Sequence, residues 1–142
     1  MDTGANATVA NGEAEFPEYS LEESPGSRAN QGFVGAGSQR IDNRGQRRVR
    51  LKIGSPTGRS AKITFQDAAV RRPICSVGET NDAGSMCVFD KQESVVLPKG
   101  CPEIEAIRRI IEKAKGKIAM QRTNNTFVLP AWVEVPFQGQ GK

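Results

Sequence analysis

Apolar and polar residues alternate along two neighbouring stretches in the middle of the chain. Val49, Leu51 and Ile53 alternate with Arg48, Arg50 and Lys52, and Lys62-Ile63-Thr64-Phe65-Gln66 repeats the pattern after the turn-forming Gly54-Ser55-Pro56-Thr57-Gly58. A period of two sets one face of a strand against a core and the other in water, so a β-hairpin across 46–68 is predicted. Met86-Cys87-Val88-Phe89 and Ser94-Val95-Val96-Leu97, separated by Asp90-Lys91-Gln92-Glu93, predict a second hairpin. A last run, Thr126–Leu129, continues beyond Pro130 into Ala131-Trp132-Val133-Glu134-Val135. Pro130 lacks the N–H a central strand needs, which places this segment at an edge or a bend.

The period becomes helical after Cys101. Ile104, Ile107, Ile110, Ile111 and Ala114 share one face, Pro102 suits the first helical position, and Glu103 and Glu105 stand where the helix dipole favours acids. Lys113, Lys115 and Gly116 supply the stop, so a helix is predicted over 102–116, with a Glu105–Arg109 pair on its exposed face and a role as a cap packed on a sheet. Residues 12–32 carry Pro17, Pro25, three glycines and scattered acids, and read as a long acidic loop. The pattern as a whole predicts one mostly β domain over 1–135, with one substantial helix in its C-terminal half and a flexible tail at 136–142.

Composition narrows the chemistry. The chain has 142 residues and no His. A chain of this length buries roughly two-thirds of its unfolded surface and needs no metal or disulfide for a core. Without His, no Ser-His-Asp or Cys-His set can be assembled and no His-containing zinc site can form, leaving carboxylate, Lys, Cys or Tyr chemistry. Cys75, Cys87 and Cys101 contain no C-x-x-C pair and read as buried, reduced thiols. The N-terminus has no secretory pattern and no run of eighteen apolar residues occurs, so a cytoplasmic protein without a membrane partner is expected. In that setting Asn6-Ala7-Thr8 and Asn124-Asn125-Thr126 match the glycosylation pattern by chance.

Charge is unevenly spread. Residues 1–32 hold six acids against Arg28 alone, whereas residues 33–75 hold ten bases against Asp42 and Asp67. The two stretches can attract one another within the fold, or the basic one can attract an anionic partner. Weak RNA binding through Arg40, Arg44, Arg47, Arg48 and Arg50 is the sharper reading. The aromatics do not interleave with these bases as a stacking platform requires, and a solvated strand face is the simpler one.

Carboxylate chemistry has a candidate in Asp2-Thr3-Gly4-Ala5. Two carboxylates held about 3 Å apart cannot both ionise, so one acts as base toward a bridging water while the other, protonated, hydrogen-bonds the scissile carbonyl. Gly4 permits the sharp turn that brings N–H groups to the carboxylate, and the Thr3 hydroxyl can brace the loop. The loop resembles the active-site loop of the retropepsin family, the aspartic proteases of retroviruses and retrotransposons. Other landmarks follow in the family's order. Phe33–Gly45, with Gly35-Ala36-Gly37, resembles the flap hairpin and defines a flap region over 33–53. Val70–Gly78, Gly84–Asp90, Phe127–Leu129 and Trp132-Val133 are similar to later segments of copia-type and protist retroelement polyproteins.

The resemblance implies a closed retropepsin-like β-barrel or sandwich, peptide hydrolysis within a polyprotein, no metal or organic cofactor, and a homodimer. It assigns Asp2, Thr3 and Gly4 to the catalytic loop and Ala5, Gly35, Ala36 and Gly37 to substrate. The chain carries a single D-T-G; Asp82-Ala83-Gly84-Ser85 lacks the bracing hydroxyl and reads as a turn, so the second carboxylate is expected from a second chain. Two features depart from the family. Only Met1 stands where members have an apolar strand, which reads as a polyprotein cut just before the D-T-G-A loop, and the helix over 102–116 has no counterpart in the compact viral enzymes. A catalytically silent binding or assembly module and a nucleic-acid-binding domain are the alternative expectations.

Overall fold

The computed structural model describes residues 1–2, 4–35 and 37–136. In chain order its elements are β1 (Val9–Ala10), α1 (Gly12–Glu15), α2 (Pro25–Arg28), β2 (Gly32–Val34), β3 (Arg40–Asp42), β4 (Gly45–Ile53), β5 (Arg59–Asp67), α3 (Val77–Asp82), β6 (Met86–Val88), β7 (Val95–Leu97), α4 (Pro102–Lys113), β8 (Gln121–Thr123) and β9 (Thr126–Val128). The protein is mostly β with few helices.

The predicted hairpin across 46–68 is the longest ladder. β4 and β5 pair antiparallel from Gly45↔Asp67 to Ile53↔Arg59, and β1 adds parallel to the far end of β5 through Val9↔Gln66 and Ala10↔Asp67. The alternation works as read: Val49 and Phe65 are buried, whereas Arg48, Arg50 and Lys52 are exposed. Ala10, Val49 and Phe65 form the core, with Phe16, Tyr19, Leu51 and Ile63 against it. The rings of Phe16 and Phe65 lie 5.0 Å apart at 39°, an aromatic contact that adds about 1 kcal/mol to the area it buries.

Beneath this core lies an ion cluster that alternation alone does not foresee. Asp67, 1% exposed, accepts from Arg44 through Nε at 2.9 Å and from Arg47 through Nε at 2.6 Å. Arg47 also donates to the Tyr19 carbonyl and Arg44 to Asn11 Oδ1, so the cluster fastens the 11–19 segment to the hairpin. The α1 turn passes so close that a Cβ at Gly12 would collide with Arg47. Gly45 has φ +136°, and a Cβ there would strike the Glu22 carbonyl oxygen; glycine is required at that crossing.

Within 12–32 the chain makes two single turns of helix, the second closed by a Ser24–Ser27 capping box. β2 and β3 form a short antiparallel hairpin, β6 and β7 form the expected second hairpin, and β8 and β9 form a third ribbon turning at Asn124, φ +54°. Among the described residues these ladders are open sheets, and the closed barrel implied by the resemblance does not form. The reason is visible at β5: β1 covers only Gln66 and Asp67, and no other described strand pairs with the rest of that edge.

The helix is present but differs from expectation in three respects. α4 ends at Lys113, before Gly116, where Lys117 Nζ binds the carbonyls of Ile111 and Glu112 at 3.1 and 3.2 Å. Its ion pair is Glu105–Arg108 at 3.6 Å, one residue short of the expected spacing. It does not cap a sheet: Ile104 is buried, but Ile110 and Ile111 are exposed. No helix is long and apolar enough to cross a membrane among the described residues.

Candidate active site

The described residues among 1–8 form a loop that the Ile74–Val77 segment holds in place. Asp2 makes a parallel bridge to Ser76: its N–H donates to the Cys75 carbonyl at 2.8 Å, and its own carbonyl accepts from Val77 N–H at 3.2 Å. Val9 and Ile74 exchange both backbone bonds at the other end of the loop, at 2.9 and 2.8 Å. Between these anchors the Asp2 carboxylate reaches solvent, and its Oδ1 accepts Gly4 N–H at 2.7 Å. A Cβ at Gly4 would sit 3.3 Å from that oxygen, somewhat tighter than an ordinary contact. Ala5, half-buried, is tied through its carbonyl to Ser76 Oγ at 2.7 Å.

Ser76, fully buried, is the hinge pin of the arrangement. As N-cap of α3 its Oγ accepts Glu79 N–H at 3.3 Å, which satisfies one of the free amides at the helix start. Its N–H donates to Thr8 Oγ1 at 3.0 Å, and Thr8 N–H donates to Glu79 Oε1 at 2.8 Å. The pattern Ser76-x-x-Glu79 is that of a capping box. Here the glutamate reaches across to the Thr8 amide, so the box locks two chain segments together.

A second brace comes from the β8–β9 turn. Asn125 Nδ2 donates to the Asn6 carbonyl at 2.7 Å, and Asn125 is itself held by Arg122 Nη2 at 2.6 Å. Arg122 also binds Asp82 with two 2.9 Å bonds, donates to the Gly78 carbonyl at 3.1 Å and lies over the Phe127 ring. Asp82-Ala83-Gly84-Ser85 is thus a helix end and turn, with Gly84 at φ +98° and the carboxylate occupied by Arg122. Sequence reasoning missed Thr8, Ser76, Glu79, Arg122 and Asn125; only the Ser76-x-x-Glu79 spacing carried a signal.

The structure therefore brings Asp2, Gly4 and Ala5 together. Thr3 and Ala36 lie outside the described residues. Gly35 and Gly37 stand at the tip of the β2–β3 hairpin, where Gly35 N–H donates to the Gln39 carbonyl and Ser38 N–H to the Gly35 carbonyl, both at 2.9 Å. These bonds are internal to the hairpin, and among the described residues none joins its tip to the Asp2 loop.

Four of the five arginines weighed for RNA have acids beside them. Arg40 binds Asp42 at 3.2 Å, Arg44 and Arg47 share Asp67, and Arg48 approaches Glu22 at 3.5 Å. The last contact joins the acidic start to the basic middle inside the fold. The three cysteines are half-buried and unpaired by disulfides. Burial first, and then the neighbouring Cys75, push the Cys87 thiol above its ordinary range, against a smaller opposing pull from the N-terminal ammonium. Comparison with protein-family models, with curated proteins and with solved structures finds no match to this chain.

Proposed function

We propose that the chain is one subunit of a cytoplasmic, retropepsin-like aspartic endopeptidase that hydrolyses peptide bonds of a retroelement polyprotein. The observation that carries the reading is the Asp2 loop, a solvent-facing carboxylate oriented by Gly4 N–H on backbone fastened to Cys75 and Val77. Such anchoring is what a carboxylate needs to meet its symmetry mate at a fixed separation. The occupied state of Asp82 supports a second Asp2, from a second copy, as the other member of the dyad. In the proposed reaction the ionised Asp2 takes a proton from water as the oxygen attacks the scissile carbonyl, and the protonated Asp2 donates to the carbonyl oxygen. The tetrahedral intermediate then collapses as the first Asp2 passes the proton taken from water to the departing amine and a hydroxyl of the intermediate returns a proton to the second, restoring the singly protonated pair. Thr3 braces the loop, Ala5 borders the substrate, and the hairpin bearing Gly35, Ala36 and Gly37 closes over it. The closed retropepsin-like barrel belongs to the same proposal, with the bare edge of β5 as the place where a further strand completes it.

The test is hydrolysis of a peptide library by the purified chain, with pepstatin as inhibitor and molar mass measured in parallel. Asp2→Asn is expected to fold and to lose at least about 100-fold in rate. Full activity in that variant, or in a strict monomer, overturns the assignment. A folded parent dimer without hydrolysis identifies the silent binding module instead.

A further inference from the structure

The β4–β5 ribbon buries one face in the core and carries a row of cations on the other. Register sets Arg48 opposite Thr64, Arg50 opposite Lys62 and Lys52 opposite Ser60, and all six side chains are exposed. Arg50 and Lys62 thus stand directly across from one another, and like charges so placed weaken a sheet. At the base of the ribbon acids answer the bases: Arg44 and Arg47 share Asp67, and Arg48 approaches Glu22. Further out they do not. Among the described residues no carboxylate pairs with Arg50, Lys52 or Lys62. A local choice that works against the fold and is not compensated within it points to a partner outside it.

The chemistry of the face states which partner. Arg48, Arg50 and Lys52 recur at every second residue of one strand, about 6.8 Å apart, and so form a straight file of charge. Lys62 widens the file at Arg50, while Ser60 and Thr64 add hydroxyls of the kind that donate to phosphate oxygens. The face holds no aliphatic side chain to insert among lipids and no aromatic ring on which a base stacks. What fits is a flexible polyanion with one charge per unit, held by its backbone alone. A single nucleic-acid strand can straighten along the file, whereas a duplex is stiff over such lengths and its phosphates spiral away. The tip of the ribbon is open, since a Cβ at Gly54 would meet nothing within 4 Å.

We propose that the outer face of the β4–β5 ribbon binds single-stranded nucleic acid through its phosphates, without regard to base sequence. Arg50, Lys52 and Lys62 are the principal contacts. Arg48 joins them by leaving Glu22, a pair exposed on both sides and therefore weak. The set differs from the five arginines that the sequence suggests: Arg40, Arg44 and Arg47 are held by acids, and two lysines take their place. The inference goes beyond the protease reading and does not rest on it.

The experiment is fluorescence anisotropy of labelled oligo(U) and oligo(dT), each about 15 nucleotides long, titrated with the full chain between about 50 and 300 mM salt. At the low end a Kd on the order of 10 µM is expected, equal within about 2-fold for the two oligomers because phosphate contacts carry no base information. Neutralising about three to four phosphates predicts a slope of log K against log salt of about −2 to −3. Lys62→Glu turns the like-charged cross-strand pair into an opposite one. It should raise the urea midpoint while weakening binding at least about 10-fold, so that loss of binding is not loss of fold. Lys113→Gln with Lys115→Gln lowers the net charge by the same two units around the end of α4 and should change binding less than about 2-fold. The proposal is overturned by no binding at about 50 mM salt, by unmoved affinity in Lys62→Glu, or by an equal loss in the Lys113 and Lys115 variant. Tighter binding to a duplex, to polyglutamate or to phosphatidylserine vesicles overturns it too. Hydrolysis without binding removes only this inference; binding without hydrolysis removes only the protease.

Discussion

Replacing Asp67 by Asn tests whether the ion cluster under the core holds the N-terminal segment to the hairpin. Asn keeps the shape and removes the charge. Its single carbonyl oxygen can accept from one arginine, while its amide hydrogens turn toward the other. The lost charge-assisted bond amounts to about 1.5–3 kcal/mol. The Arg47 side chain is only 8% exposed, so its guanidinium stays in the interior with the Tyr19 carbonyl as its remaining described partner. Arg44, 31% exposed, can turn to water and adds little. A charge left without its buried counterion brings the expected loss to about 3–5 kcal/mol. For a chain of this length that is a fall in Tm of about 10–15 °C. Urea unfolding followed by far-UV circular dichroism measures it, with the midpoint lowered and the slope unchanged. Arg47→Met combined with Asp67→Leu removes both buried charges and should recover most of the loss. A single Asp67→Asn variant within about 1 kcal/mol of the parent would refute the reasoning.

Three further outcomes are expected. Ser76→Ala removes the N-cap of α3 and the bond to the Ala5 carbonyl, costing about 1–2 kcal/mol; hydrogen exchange at the Asp2 and Glu79 amides should quicken about 10-fold, and unchanged exchange removes Ser76 as the pin. Gly45→Ala should cost more than about 2 kcal/mol and Gly54→Ala about 1 kcal/mol, because both have positive φ but only Gly45 faces a collision; chemical denaturation giving the opposite order contradicts the packing at Glu22. Cys101 donates to a Glu103 oxygen at 2.8 Å, and this bond to the protonated thiol holds its pKa above the ordinary range, which lowers the thiolate fraction at any given pH. In Glu103→Gln the pH profile of Cys101 alkylation, read by peptide mass spectrometry, should therefore move to lower pH, and an unmoved profile sinks the attribution.

What could be read from sequence depended on how far apart the interacting residues stand in the chain. The β4–β5 hairpin was legible because its pairing is local and Val49, Leu51 and Ile63 keep a strict period. Arg47 was not, because its burial depends on Asp67, twenty residues further on, and a run of arginines looks alike until one has a partner. β1 is two residues long, too short for any period, and exists through its neighbours. At the candidate site the Asp2-Thr3-Gly4-Ala5 turn was visible as a motif. Its supports were invisible because a lone Ser, Thr or Asn carries no pattern until the fold sets it beside a carbonyl. The isoleucines of α4 specified a helix correctly but not a neighbour to cover it, since periodicity reports that a face is apolar and nothing about what meets it.

The braces on the Asp2 loop also order events in time. Thr8 meets Glu79 across 71 residues of sequence, and Asn6 meets Asn125 across 119. Contacts of such separation carry a large loop-closure entropy and form after local hairpins are in place. During synthesis, which runs from the N-terminus, Asp2 leaves the ribosome well before its anchors: the loop stays unfastened until Ile74–Glu79 has been made, and its second brace waits for the turn after β8. The loop of the candidate catalytic carboxylate is therefore fully braced only once Asn125 has been made, which keeps a nascent chain from presenting the finished site.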